Sequence, residues 1–151
     1  MKRAIVCVIP SRYESSRFPG KPLADLCGKP MIQHVYERVA RAKAIPYVAV
    51  ATDDARIFDA VKKFGGNAVM TAVTHRSGTD RIAEAVKTLN LPPDAIVVNI
   101  QGDQPIFEPV QVDEVIAPLL DDPTLCMSTL IYKIVLPEEI THPHAVKVAL
   151  D

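Results

Sequence analysis

The stretch Ala4–Leu23, AIVCVIPSRYESSRFPGKPL, joins an apolar run to a polar loop, and that junction decides the fold. Ala4–Ile9 is unbroken, apolar and rich in β-branched residues, which is typical of a strand buried on both faces of a parallel sheet. A polar loop with glycines and prolines follows from Ser11 to Lys29, and Pro30 suits the first turn of a helix. We therefore expect a central strand, a long loop and a helix, in that order.

The same alternation of strand and helix continues along the rest of the chain. Apolar runs predict further buried strands at Tyr47–Ala51, Ala68–Met70, Ala95–Ile100 and Leu125–Val135. Apolar side chains at helical spacing lie between these runs. This order predicts an α/β fold of three layers, with a doubly wound, mostly parallel sheet and helices on both faces. No internal repeat or linker interrupts it, so residues 1–151 are predicted to form a single domain.

The composition argues against several classes of protein. The chain has 151 residues, 48% of them hydrophobic, and a formal net charge of −1, with no basic cluster for nucleic acid or a membrane surface. The first apolar run is stopped by Pro10 and is shorter than that of a signal peptide, so we expect a cytoplasmic protein. Cys7 and Cys126 lie in strand-like runs and are predicted to be small core residues in a reducing compartment. Cys27 lies in the first loop.

The predicted fold also predicts where a ligand would bind. In doubly wound sheets, ligands occupy the crevice beyond the carboxyl ends of the strands. Three predicted loops, 11–29, 72–78 and 101–105, follow strands and should meet at that crevice. The sheet rule therefore turns three separate loops into one predicted site.

The first of these loops is rich in groups that bind phosphate. It holds three cations, Arg12, Arg17 and Lys21, together with hydroxyl groups and Gly20. Arginines fork onto two phosphate oxygens, a lysine acts as a mobile point charge, and a glycine lets main-chain N–H groups approach an anion. Lys21 is followed by Pro22, so the loop is not a Walker A motif, and G-x-G-x-x-G is absent from the sequence. The alternative is a solvated loop, but its position and its charge together favour a triphosphate site.

The loop after the fourth predicted strand presents a carboxylate, Asp103. A lone aspartate in such a turn more often forms an Asx turn than it binds a metal. Its place at the sheet edge, beside the predicted triphosphate loop, instead favours an oxygen ligand for Mg²⁺.

The middle loop leaves two roles open for its hydroxyl groups. Ser77 and Thr79 could each cap the helix that begins there or contact a nucleotide, and the two roles can coexist because the N–H of Gly78 would still point into the crevice. His75 has no partner at metal-ligand spacing and is predicted to be an exposed loop histidine. Asp53 and Asp54 are both predicted to be helix caps, with Asp53 reaching toward the site.

Motifs that together span the chain carry a family resemblance. They are Ile9–Leu23, Gly28–Ile32, Val50–Asp53, His75–Arg81, Val98–Asp103 and Pro143–Asp151. These segments resemble the CMP-KDO synthetases, the cytidylyltransferases of 3-deoxy-manno-octulosonate (KDO), and the long first motif is the most specific. The sialic-acid cytidylyltransferases usually have a shorter, differently punctuated first loop and are a poorer fit.

The resemblance implies a nucleotide-diphospho-sugar transferase-like fold, and a reaction in which CTP and KDO give CMP-KDO and pyrophosphate for lipopolysaccharide biosynthesis. It implies catalytic roles for Arg12, Lys21 and Asp103, with Asp103 also holding Mg²⁺. The nucleotide-binding residues that it implies are Ser11, Arg12, Arg17, Gly20, Lys21, Ser77, Gly78, Arg81, Gln101 and Asp103. The full-length family is expected to form homodimers, with no nucleic-acid or membrane partner.

Two features depart from the family pattern. Gln104 stands where the family usually has glutamate, so one acidic group is missing beside the predicted metal. Family members continue well beyond Ala145–Val148, into a part that supplies most KDO contacts, a second magnesium-binding acid and much of the dimer interface. The sequence is therefore expected to be an N-terminal part that binds CTP weakly and turns over KDO poorly by itself. The alternatives are a nucleotidyltransferase for another sugar acid or sugar phosphate, and a non-catalytic nucleotide-binding module.

Overall fold

A parallel sheet runs through the centre of the protein. The computed structural model describes residues 3–14, 18–143 and 145–149. Its strands are β1 (Ile5–Ser11), β2 (Asp25–Leu26), β3 (Lys29–Pro30), β4 (Val48–Thr52), β5 (Ala68–Met70) and β6 (Ile96–Asn99). The central sheet has the order β5-β4-β1-β6 with every pairing parallel, while β2 and β3 form a small antiparallel hairpin inside the first loop.

The helices begin at residues that satisfy or remove free N–H groups. They are α1 (Met31–Val39), α2 (Ala55–Lys63), α3 (Gly78–Thr88), α4 (Pro109–Asp121) and α5 (Pro137–Thr141). The side chain of Asp54 accepts the N–H of Arg56 at the start of α2, and Ser77 accepts that of Asp80 at the start of α3. Pro109 occupies the first position of α4, where its missing N–H costs nothing. Within the described ranges, no helix is both long and apolar enough to cross a membrane.

The helices cover both faces of the sheet. On one face, Ile32 of α1, Ile57 of α2 and Ile116 of α4 are buried in one core cluster with residues of β1, β4 and β6. On the other face, Ile82 and Ala85 of α3 pack against the sheet. β1 is buried along its whole length, as its unbroken apolar sequence predicts. The structure thus confirms the three-layer, doubly wound and parallel α/β fold.

The strand order determines where the crevice lies at the edge of the sheet. β1 lies between β4 and β6, so the order reverses direction at β1, and in such sheets this is where the crevice opens. The register pairs Ser11 with Thr52 of β4, and Val8 with Asn99 of β6. Because β6 ends three residues earlier than β1, the turn that follows β6 runs beside the last residues of β1.

The fifth predicted strand is wrong. Residues 125–135 form no strand, and most of their side chains are exposed, including Met127 (82%) and Tyr132 (74%). A strand needs a hydrogen-bonded neighbour as well as an apolar sequence, and in the described chain β6 pairs only with β1. Cys126 is consequently exposed, not the core residue that the sequence predicted.

The three cysteines should differ sharply in reactivity. Cys7 is fully buried in β1, and burial raises the pKa of its thiol to about 12, whereas Cys27 and Cys126 are exposed. Since the thiolate is the reacting form, Cys7 should stay unmodified at neutral and mildly alkaline pH. Titration of the folded protein with a thiol reagent should modify Cys27 and Cys126 rapidly, and Cys7 only after a denaturant is added. Rapid modification of Cys7 in the folded state would contradict the burial of β1.

Candidate active site

A cavity of about 470 Å³ opens at the carboxyl ends of β1 and β6. The predicted site residues that line it are Ser11, Arg12, Lys21, Ser77, Gly78, Arg81, Gln101 and Asp103. Gly20 directly precedes Lys21 but does not line the cavity, and Arg17 lies outside the described residues. The three loops that the sheet rule brought together therefore do meet in the structure.

Lys21 and Asp103 both line this cavity and form an ion pair there. Gly20 has a φ of 72°, which turns the chain into the short 3₁₀ helix Lys21–Leu23, and the N–H of Leu23 donates to the carbonyl of Gly20. Lys21 Nζ donates to Asp103 Oδ2 at 2.8 Å, and the two side chains are 37% and 54% exposed. A pair as exposed as this contributes at most about 1 kcal/mol to stability, so a phosphate group or a cation can replace either partner.

Ser11 supplies a buried hydroxyl group at the end of β1. The residue is 6% exposed, and its Oγ has no hydrogen-bond partner among the described residues. A buried hydroxyl without a partner costs roughly 1–3 kcal/mol. Because Ser11 lines the cavity, a rotation about its χ1 would bring this hydroxyl within reach of a ligand there.

Gly102 allows the turn after β6 to press against β1. A Cβ at this position would lie 3.1 Å from the carbonyl oxygen of Pro10 and 3.4 Å from Ser11 Oγ. The carbonyl belongs to a central strand and cannot move aside easily. Any larger residue would force this turn or β1 to shift by a few tenths of an ångström, so glycine favours the close approach of the turn that carries Asp103 to β1.

Arg81 connects the three elements behind the cavity. Its side chain is 4% exposed, and it donates from Nη2 to Asp53 Oδ2 at 2.6 Å and from Nη1 to Thr71 Oγ1 at 2.5 Å. These bonds tie α3 to the carboxyl ends of β4 and β5. Asp54 caps α2, as the sequence predicted. Asp53 is instead the counter-ion of Arg81, which corrects the capping role that the sequence suggested for it.

His75 is held in place, contrary to the sequence expectation. It lines the cavity, and its Nε2 contacts Glu84 Oε2 of α3. Glu84 also accepts the N–H of Ala72 at 2.8 Å, and these two contacts, the Ala72 bond first, lower the pKa of its carboxyl. No metal-ligand spacing in the sequence marks this pair, since it depends on how the loop 71–77 folds back onto α3.

The charged residues fit a cation that shares its ligands with a substrate. Among the residues that the structure describes, no group of three or more His, Cys, Asp or Glu side chains could hold a metal ion. Mg²⁺ does not need such a cage, because it commonly keeps several waters and is bound by one or two carboxylates together with substrate phosphates. Asp103 at the cavity edge, opposite the cationic first loop, supplies a donor of this kind.

The sequence of this chain is similar to those of known proteins. The family model described as Cytidylyltransferase matches residues 6–151. A 3-deoxy-manno-octulosonate cytidylyltransferase of Syntrophus aciditrophicus is 72% identical over 147 residues, which are 97% of this chain and 59% of that protein. An 8-amino-3,8-dideoxy-manno-octulosonate cytidylyltransferase of Shewanella piezotolerans is 50% identical over 148 residues, again 97% of this chain and 60% of that protein. The chain thus spans about three fifths of the length of these relatives.

Solved structures agree with the fold. A CMP:2-keto-3-deoxy-manno-octonic acid synthetase in complex with CTP superposes with a TM-score of 0.77 at 49% identity, over 81% of this chain and 49% of that one. A cytidylyltransferase of Leptospira borgpetersenii has a TM-score of 0.69 at 24% identity, over 82% of this chain and 51% of that one, and it supports the fold alone. The resemblance inferred from the motifs is confirmed, and the chain belongs to the cytidylyltransferase family.

Proposed function

We propose that this chain provides the CTP- and magnesium-binding part of a 3-deoxy-manno-octulosonate cytidylyltransferase, which joins CTP and KDO to give CMP-KDO and pyrophosphate. The observation that carries the proposal is the pair Lys21 and Asp103, a cation and a carboxylate 2.8 Å apart at the switch point of the sheet. A sequence 49% identical to a synthetase solved with CTP supports the choice of nucleotide.

In this proposal the chain's own residues bind and orient the triphosphate. Arg12 and Lys21 neutralise the charge that builds up around the α-phosphate, and Asp103 holds the metal ion. Mg²⁺ would polarise the α-phosphate and counter the charge of the leaving pyrophosphate. The anomeric hydroxyl of the sugar attacks the α-phosphorus in line, and positioning with charge stabilisation suffices, without a covalent enzyme intermediate.

The base and ribose are proposed to lie between β1 and the start of α3. Ser77 and Gly78 begin α3, whose amino end carries a partial positive charge and free N–H groups. Gln101 faces the same space and adds an amide that can both donate and accept. Ser77 caps the N–H of Asp80 at 3.1 Å, which is one of the two roles that the sequence left open, and in this proposal a nucleotide contact is the other.

A second sugar acid is favoured by one observation. The Shewanella relative is named for the 8-amino-3,8-dideoxy sugar, at 50% identity. This supports an amino analogue of KDO as the alternative substrate of the whole protein. The homodimer, the cytoplasmic location and the role in lipopolysaccharide biosynthesis remain predictions.

Calorimetric titration with CTP and with UTP, each with and without Mg²⁺, tests the proposal. We expect CTP to bind in a magnesium-dependent manner and UTP to bind more weakly. Pyrophosphate release by the whole protein, with KDO and with its 8-amino analogue, then identifies the sugar. Preference for UTP, or the absence of binding by both nucleotides, would contradict the cytidylyltransferase proposal.

A further inference from the structure

The loop that carries Lys21 is closed at its base by Tyr13. The N–H of Gly20 donates to the carbonyl oxygen of Tyr13 at 2.9 Å. Gly20 has a left-handed backbone conformation and is followed directly by Lys21. The position of Lys21 therefore depends on how firmly Gly20 is held against Tyr13.

The ring of Tyr13 also packs against Gly20. A Cβ on Gly20 would lie 2.9 Å from both Cζ and Oη of Tyr13, so the phenol end of the ring is pressed against the backbone of Gly20. The ring also packs against the apolar core on this face of the sheet. Tyr13 thus connects the backbone before Lys21 to the rigid centre of the fold.

A residue of α2 covers the face of this ring. The guanidinium carbon of Arg56 lies 3.2 Å from the ring centroid, the geometry of a cation–π contact. Arg56 is itself fixed, because it donates from Nε to Asp54 Oδ1 at 2.9 Å and from Nη2 to Asp54 Oδ2 at 2.6 Å. Asp54 caps α2 with the same carboxylate, and the bonds from Arg56 lower the pKa of that carboxyl.

We propose that Tyr13 and Arg56 are positioning residues, which hold the loop base and so place Lys21 for the nucleotide. Neither side chain needs to touch the nucleotide in this role. The inference rests on the proposed function for its purpose, but the mechanical link from α2 through Tyr13 to Gly20 stands on contacts within the chain. Tyr13 and Arg56 together form the Tyr13–Arg56 clamp.

Substitutions at Tyr13 and Arg56 distinguish a positioning role of this pair from a general effect of positive charge on CTP binding. Arg56→Ala removes the contact and the charge, whereas Arg56→Lys keeps the charge and loses the planar fork onto Asp54. Tyr13→Leu removes the aromatic face, and Tyr13→Phe keeps it. Lys63→Ala is the matched control, since Lys63 is an exposed cation of the same helix.

Two measurements are made on each variant. Hydrogen exchange of the Gly20 amide reports the loop base without any nucleotide, and calorimetry reports CTP affinity with Mg²⁺. We expect Arg56→Ala and Tyr13→Leu to speed Gly20 exchange roughly tenfold and to weaken CTP binding by about three- to tenfold. Tyr13→Phe and Lys63→Ala should stay near wild type, and Arg56→Lys should resemble Arg56→Ala.

The double variant Tyr13→Leu/Arg56→Ala gives the decisive comparison. If Arg56 acts through the ring, its removal has little further effect once Tyr13 is leucine. An equal loss of affinity in both backgrounds, or full rescue by Arg56→Lys, would mean that Arg56 acts by charge alone and would overturn the clamp. Unchanged Gly20 exchange in Tyr13→Leu would overturn it as well. Since exchange is measured without nucleotide, it decides the clamp even if CTP fails to bind and the proposed function falls.

Discussion

Replacing Lys21 by alanine is expected to weaken CTP binding by roughly one to two orders of magnitude, the usual worth of a charge-assisted bond to phosphate. The side chain forms an ion pair with Asp103 at 2.8 Å and projects from the short 3₁₀ helix Lys21–Leu23. Calorimetric titration with CTP in the presence of Mg²⁺ measures the loss.

The fold should tolerate the loss of Lys21. Its ion pair with Asp103 is partly exposed, so the melting temperature should fall by no more than the few degrees that about 1 kcal/mol implies. Lys63→Ala removes an equal charge on the exposed side of α2 and should bind CTP like the wild type. Equal affinities for Lys21→Ala and Lys63→Ala would show that the triphosphate does not lie in this cavity.

Replacing Asp103 by asparagine is expected to change nucleotide binding in opposite directions with and without Mg²⁺. With Mg²⁺, CTP affinity should fall about tenfold or more, because the carboxylate ligand is lost while the side-chain shape is kept. Without Mg²⁺, affinity should rise severalfold, because the nucleotide no longer has to displace Asp103 from Lys21. The difference between the two conditions is the quantity to measure.

The same titrations distinguish a metal ligand from a structural aspartate. A residue that only shapes the turn would lower affinity equally in both buffers when it is changed. A non-catalytic nucleotide-binding module would show no effect of Asp103→Asn in either buffer. Gln104→Glu is the companion variant, since it restores the acid usual in the family beside Asp103 and should strengthen the magnesium-dependent part if that side chain reaches the ion.

The sequence predicted the sheet and the place of the site because both depend on local patterns. An unbroken β-branched run such as Ile5–Ile9 has few alternatives to a buried parallel strand, and the sheet rule then brings the loops together. The strand predicted at 125–135 failed because strand formation depends on a neighbour that the local sequence does not specify. Apolar content alone was misleading there.

The contacts that hold the site were harder to predict because they join distant parts of the chain. His75 meets Glu84 only because the middle loop folds back onto α3. Arg56 covers Tyr13 only because α2 packs beside the first loop. From the sequence alone, Arg56 and Glu84 would both have been assigned to the solvent, because each is a charged residue of a helix. The candidate site residues were visible in the sequence, and the residues that hold them in place were not.

The buried hydroxyl of Ser11 has a consequence for selectivity. The hydroxyl is buried without a hydrogen-bond partner among the described residues, so a ligand that offers it a matching atom removes the cost of that burial. A ligand of the same shape without that atom leaves the penalty in place, and sites built in this way reject such analogues more strongly than apolar pockets do. At the end of β1, an incorrect ligand would therefore bind more weakly because it leaves the Ser11 hydroxyl without a hydrogen bond.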